Sequence, residues 1–113
     1  MKIKKAKVGL FPFIVYLCIT PDRNKVIKFA NKIHGTNRDY EEVWGMQAST
    51  FMVSGKNPVI WMSSLKCKSD YALLAHEVFH AVYNITLTVG INLSPDSEEV
   101  FAYMIENIMY QLS

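Results

Sequence analysis

The sequence has few cysteines and no hydrophobic run long enough to cross a membrane. Its 113 residues include two cysteines, Cys18 and Cys67, which are too few for a disulfide framework and form no Cys-x-x-C pair. We therefore expect reduced thiols in a cytoplasmic protein. The longest apolar stretch, residues 10–19, is interrupted by Pro12 and reaches about half of the roughly 20 residues that a bilayer requires. No small-residue cleavage site follows this stretch, which argues against a signal peptide.

Charge is also scarce, and its balance argues against a nucleic-acid partner. Charged residues make up 19% of the chain, and 12 basic against 10 acidic side chains leave a net charge of +2. This excess is too small to favour binding to a phosphate backbone. We therefore predict neither nucleic acid nor membrane as a partner, and the sequence predicts no oligomeric state. Four lysines of the first seven residues are expected to form a solvated terminus: Lys2, Lys4, Lys5 and Lys7.

Apolar residues are abundant, and their spacing predicts the fold. A chain of this length that is 50% hydrophobic forms one globular domain, residues 1–113. The periodicity predicts the order strand, helix, hairpin, helix, helix, which is an α+β fold with helices packed on one face of a small, largely antiparallel sheet. The first predicted elements are a strand at 8–19, a helix from Thr20-Pro21-Asp22 to a stop at Gly35, and a loop at 37–45. Hairpin strands follow at 48–53 and 58–62. The last elements are a helix at 71–88, capped by Ser69 or Asp70 and ended by Gly90, and a final helix opened by Ser94-Pro95-Asp96.

One motif carries chemistry: residues 76–80 read H-E-V-F-H in the middle of the predicted 71–88 helix. Residues four apart lie on one face of a helix, so His76 and His80 can occupy two corners of a zinc tetrahedron. Glu77 follows His76 directly and so lies to one side of the histidine face of the helix. There it can hydrogen-bond a water on the metal and act as a general base. This combination is typical of metal-assisted hydrolysis.

The surroundings of the motif also favour a metal. The helix is apolar nearly all round, which predicts that it is mostly buried. Two histidines and a glutamate buried without partners would cost several kcal/mol, and a bound metal removes much of that cost. The alternative is a pair of core histidines that hydrogen-bond the backbone or Glu77.

A third protein ligand is needed, and carboxylates at the start of the last helix are the candidates. The turn at Gly90 would bring Glu98 and Glu99 back towards the motif, whereas His34 is expected to be a solvated residue at a helix end. On a helical wheel Glu98 lies nearer the centre of the apolar stripe, and Glu99 lies at its edge. The pattern of residues alone leaves the choice between the two open.

Two segments together resemble a known group of proteins. Residues 76–81 read HEVFHA and residues 99–103 read EVFAY, which is similar to small phage and prophage zinc peptidases that pair H-E-x-x-H-A with E-x-x-A-Y on the last helix. The wider clan is the gluzincins, here with a short spacer. The resemblance implies a minimal zincin-like domain in the host cytoplasm, a Zn²⁺ ion held by His76, His80 and Glu99, and a peptide or protein substrate.

The predicted function is therefore a zinc metallopeptidase with Glu77 as general base. Tyr103 is a candidate donor to an oxyanion, and the alternative for it is a packed tyrosine whose hydroxyl lies at the rim. The rival function is a non-catalytic, metal-stabilised protein that docks a host or phage protein. An open coordination position on the metal would favour the enzyme, and a closed one would favour the rival.

Overall fold

A computed structural model describes residues 1–9, 11–40 and 46–113. It confirms the predicted α+β class and contains one strand more than predicted. Residue 10 of the predicted first strand and residues 41–45 of the predicted loop lie outside the described residues, and residues 37–40 have no regular structure. The described elements are β1 (Lys2–Lys7), β2 (Ile14–Ile19), α1 (Arg23–His34), β3 (Ala48–Phe51), β4 (Val59–Met62), α2 (Lys68–Thr88) and α3 (Glu98–Leu112).

The four described strands form one sheet in the order β1-β2-β4-β3. The β1–β2 and β3–β4 pairs are antiparallel, and the central β2–β4 pair is parallel, so the sheet is largely antiparallel as predicted. The β3–β4 hairpin is confirmed, with Ala48 opposite Met62 and Phe51 opposite Val59. Gly55 has a φ of 78° in its turn, a conformation that favours glycine. Strand β3 is left at an edge of the sheet.

The helices pack on both faces of the sheet, which corrects the prediction of a single face. Alternate residues of a strand point to opposite faces, and here both sets are apolar. Val15 and Leu17 of β2 lie in a core with α2 and α3, whereas Cys18 lies in a second core with Val26 and Ala30 of α1. Strand β2 is an apolar run because it is buried on both sides, as is usual for a strand with a parallel neighbour.

The N-terminal lysines form β1 rather than a solvated terminus. This strand pairs with β2 over its whole length, from Lys2 opposite Ile19 to Lys7 opposite Ile14. The Lys4 ammonium donates to the Leu112 carbonyl oxygen at the end of α3. Lysines suit this position because β1 is the other edge of the sheet, where charged side chains discourage pairing with another chain.

The predicted first strand is also shorter than expected and begins at Ile14. The preceding residues turn the chain back from β1, with the Val8 amide donating to the Phe13 carbonyl oxygen. Gly9 adopts a φ of 55° in this turn, and Pro12 has no amide hydrogen with which to extend a strand.

The helix ends confirm the predicted stops and correct the predicted starts. Gly35 is the left-handed C-cap of α1, and Gly90 follows the end of α2 with a φ of 83°. The N-cap residues lie elsewhere than predicted: Asp22 for α1, Cys67 for α2 and Ser97 for α3. Asp70 lies inside α2, and its carboxylate accepts the backbone N–H groups of Lys66 and Cys67. Capping residues are short-range features, and several neighbouring side chains can serve equally well.

Candidate metal centre

Helix α2 brings together His76, Glu77 and His80, whose ligand atoms all lie within 4.8 Å of one another. The Nε2 atoms of His76 and His80 are 3.1 Å apart, and their ring centroids are 4.7 Å apart. The two rings meet because residues four apart lie one turn above each other on a helix. These three side chains form a group that could hold a metal ion.

The donor set fits a transition-metal ion. Two nitrogens bound at 2.0–2.1 Å to one tetrahedral ion lie about 3.3 Å from each other, close to the 3.1 Å between the two Nε2 atoms. At this separation two lone pairs repel each other unless a proton or a cation is shared between them. Imidazole nitrogens suit zinc, copper, iron and nickel, so the geometry limits the class of ion without choosing one.

Glu77 is the buried member of the group. Its side chain is 8% exposed, against 64% for the side chain of His76. One carboxylate oxygen, Oε1, accepts a hydrogen bond of 2.8 Å from the hydroxyl of Thr50 on β3. The other, Oε2, lies 3.9 Å from the Nε2 atom of His76. The carboxylate is thus held between the sheet and the histidine pair.

The histidines themselves are exposed, which corrects the expectation that the motif helix is mostly buried. Val78, Ala81 and Ile85 pack into the core from the opposite side of α2. The side that carries His76 and His80 faces solvent, together with three large apolar residues: Phe79, Tyr83 and Leu87. Apolar composition all round a helix did not lead to burial here, because α3 and the sheet cover only part of its circumference.

A cleft of about 380 Å³ lies beside the group, between α2 and strand β3. Ser49 and Thr50 of β3 line it, and Met46 and Met52 line it from the segments that flank the strand. The two histidines and Glu77 form the opposite wall. A molecule in this cleft would therefore contact the edge strand of the sheet and the candidate metal ligands at once.

The structure does not bring Glu99 or Tyr103 into this group. Glu98 and Glu99 both lie exposed in the first turn of α3. The buried stripe of α3 contains Phe101, Met104, Ile108 and Leu112, and Glu99 lies on the exposed side with Tyr103. The role of Glu99 as third ligand stays a prediction.

Tyr103 lines a different depression, and its side chain is 65% exposed. Its neighbours there include Val8, Phe11 and Asn107 and do not include the two histidines. The rim position that was the alternative for Tyr103 agrees with this exposure.

Sequence reasoning missed Thr50, whose hydroxyl donates a hydrogen bond to Glu77. The sequence feature that could have indicated this contact is the place of Thr50 in the predicted 48–53 strand, where alternate residues face one side of the sheet. The signal was incomplete, because the side of the sheet on which the motif helix packs is set by the strand order.

Three further titratable residues lie away from the group: His34, Cys18 and Cys67. His34 is buried rather than solvated, and its Nε2–H donates to the Asn57 carbonyl oxygen over 2.7 Å. Burial lowers the pKa of this imidazole, outweighing the hydrogen bond, which raises it. Cys18 is a free thiol in the core, where burial raises its pKa to about 12, and Cys67 is a free, exposed thiol.

The comparisons add no family to these observations. No helix in the described part of the chain is long and apolar enough to cross a membrane. Comparison of the chain with protein-family models, with curated proteins and with solved structures gave no match. The geometry of the His76, Glu77 and His80 group is therefore the basis for any functional conclusion.

Proposed function

We propose that the protein is a zinc-dependent metallopeptidase with His76 and His80 as zinc ligands and Glu77 as general base. The observation that supports this most directly is the approach of the two Nε2 atoms to 3.1 Å beside a buried carboxylate. Helical spacing brings the two imidazoles together, and a metal ion would bind both nitrogens at this separation. A carboxylate that is close to them and yet buried is a costly arrangement that metal-assisted hydrolysis would use.

Zinc is the ion proposed, because two imidazoles and a carboxylate are a common ligand set for catalytic zinc. When bound, zinc would polarise the carbonyl group of the substrate and lower the pKa of a coordinated water. Glu99 is the proposed third ligand, as the resemblance to phage zinc peptidases implies. Glu99 lies exposed in the first turn of α3 and outside the His76, Glu77 and His80 group, so this role would require the start of α3 to move towards the group.

The position of Glu77 supports its proposed role as general base. Its Oε2 atom lies on the side of His76, so a water held near the two histidines would be within reach of this oxygen. Glu77 takes a proton from the water as the water oxygen attacks the carbonyl carbon. The same carboxyl group then gives the proton to the amine nitrogen as the carbon–nitrogen bond breaks.

The proposed substrate is a peptide in extended conformation. Strand β3 is an edge strand that borders the cleft beside the group, so its free side could pair with a peptide backbone. Tyr103 is proposed as an oxyanion donor, and this role would require the start of α3 to move towards the cleft.

The second candidate function is a metal-stabilised protein that docks a host or phage protein. Two exposed tyrosines of α3 favour it, since Tyr103 is 65% and Tyr110 is 85% exposed. Tyrosine is enriched in protein interfaces. In this case the histidine pair would hold a structural ion.

Hydrolysis of a fluorogenic peptide mixture would distinguish the two functions. We expect activity in the zinc-loaded protein, loss of activity in chelator, and recovery when zinc is added back. Glu77→Gln should lower kcat by about 10²-fold or more while the zinc content stays the same. Glu106→Gln, an exposed change on α3, is the matched control and should leave kcat unchanged. Zinc-dependent stability without hydrolysis of any peptide would favour the docking protein.

A further inference from the structure

Strand β3 places one hydroxyl against the candidate base. Thr50 is paired with Ile60 of β4, whose side chain lies in the core with α2 and α3, so Thr50 also points to the face that α2 covers. Its hydroxyl lies 2.8 Å from Oε1 of Glu77 and 3.2 Å from the main-chain oxygen of the same residue. A hydroxyl has one hydrogen, and the shorter contact to a carboxylate is the stronger of the two.

The burial of Glu77 makes this hydrogen bond important. A buried carboxylate oxygen has lost its hydrogen bonds to water, and donors of the protein must replace them to keep the cost low. Among the described residues, Thr50 is the one whose side chain donates to this carboxylate. Without that donor, one carboxylate oxygen would be buried with nothing to bond.

The hydrogen bond also gives the two carboxylate oxygens different roles. Oε1 is bound to Thr50, and Oε2 lies 3.9 Å from the Nε2 atom of His76. Rotation of a glutamate carboxylate about its terminal bond is otherwise loosely restricted. The bond from Thr50 therefore keeps one oxygen on the sheet side and the other on the side of the histidines.

We propose that Thr50 is a positioning residue that holds Glu77 in orientation for proton transfer, an inference that rests on the proposed function. The O–H bond of the attacking water breaks and a bond from Oε2 to that proton forms, while the hydroxyl of Thr50 stays bonded to Oε1. The water oxygen bonds to the carbonyl carbon in this step, and the proton then moves from Oε2 to the amine nitrogen as the carbon–nitrogen bond breaks. Thr50 lines the cleft, but its hydroxyl is bonded to Glu77, so removal of the hydroxyl alone should impair turnover much more than substrate binding.

Kinetics of two variants test this role. Thr50→Val keeps the size and β-branching of the side chain and removes the hydroxyl, and we expect kcat to fall by about 10-fold or more with KM within about twofold. Thr50→Ser keeps the hydroxyl and should recover most of kcat. Thr86→Val is the matched control, because Thr86 is a buried threonine of α2 whose hydroxyl bonds only backbone oxygens. It should lower the melting temperature without lowering kcat.

Thermal unfolding of the metal-free protein provides a readout that is independent of activity. We expect Thr50→Val to lower the melting temperature by several degrees in the parent protein and by much less when Glu77 is already alanine. If Thr50→Val does not fold, Thr50→Ser compared with Thr50→Ala isolates the same hydroxyl.

The outcomes of the two experiments separate the inference from the proposed function. Additive changes in melting temperature, an unchanged kcat in Thr50→Val, or a Thr50→Ser variant as slow as Thr50→Val would each overturn the role of Thr50 while leaving the peptidase intact. Absence of hydrolysis by the parent protein at full zinc occupancy would instead overturn the proposed function and the kinetic role together.

Discussion

The Nε2 atoms of His76 and His80 lie 3.1 Å apart on the solvent-facing side of α2. The core residues of this helix lie on its other side. The two histidines therefore lie outside the core, and Glu77 is the buried member of the group. We expect metal binding to stabilise the fold mainly because the ion binds the folded state.

Replacement of a histidine should remove the metal and leave the fold intact. We expect His80→Ala to lower bound zinc per protein from about one to near zero after dialysis against zinc-free buffer, because only His76 and Glu99 are left of the proposed ligands. Elemental analysis gives the zinc content, and circular dichroism checks the fold. Leu87→Ala, an exposed change on the same side of α2, is the control and should keep its zinc. Full zinc occupancy in His80→Ala would exclude the histidine pair as the site.

Chelation should lower the melting temperature. A ligand that binds only the folded state stabilises it by about 2.7 kcal/mol at 100 times its Kd, which corresponds to roughly 11 °C in a domain of this size. We expect the melting temperature of the zinc-loaded parent to fall by roughly 11 °C in chelator. The melting temperature of His80→Ala should not change, and an equal fall in that variant would show that the chelator acts elsewhere.

The sequence was sufficient for the local features. The spacing of His76 and His80 predicts that their rings meet on one helix face, and the hairpin turn around Gly55 predicts an antiparallel pair. Both depend on residues close together in the chain, whose geometry is largely set by backbone periodicity. These predictions are confirmed in their geometry.

The sequence was insufficient for features that depend on distant segments. Lys4 belongs to a strand because it pairs with β2 and contacts the end of α3, and neither contact is visible in a run of lysines. The exposure of His76 depends on how much of α2 its neighbours cover. The bond from Thr50 to Glu77 depends on the order of the strands in the sheet.

Acid should destabilise the protein through His34. Its Nε2–H is used by the Asn57 carbonyl, so a second proton would go to Nδ1, which is buried with no partner among the described residues. Burial lowers the pKa of His34 below the unfolded value of about 6.5, so its neutral form favours folding. The stabilisation that neutral His34 gives the folded state is complete above about pH 6.5. It is lost as the pH falls from about 6.5 towards the lower pKa that His34 has in the folded protein.

We therefore expect the free energy of unfolding of the metal-free protein to decrease as the pH falls below about 6.5. Urea unfolding at several pH values measures it. His34→Gln keeps a donor for the Asn57 oxygen and cannot become charged, so this variant should show a smaller decrease. An equally steep decrease in His34→Gln would assign the effect to other groups.

The last prediction concerns the third ligand. Glu98 and Glu99 are adjacent and exposed in the first turn of α3, and the resemblance to phage zinc peptidases favours Glu99. We expect Glu99→Ala to weaken zinc binding by about 10-fold or more, because a direct ligand should matter at least as much as the groups that orient ligands. Glu98→Ala should leave the zinc Kd nearly unchanged and change the free energy of unfolding by no more than about 1 kcal/mol through the helix dipole.

Zinc titration of both variants and the parent in one buffer decides between the two glutamates. The variants lose the same charge from adjacent, exposed positions in one helical turn, so a large difference in their Kd values would be assigned to contact with the ion. A larger effect of Glu98→Ala would make Glu98 the ligand and would mean that the helical wheel was a better guide than the resemblance. Small and equal effects would leave His76, His80 and Glu77 as the ligands. Glu77 would then be bound to the ion instead of acting as a base, and the docking protein would become the better explanation.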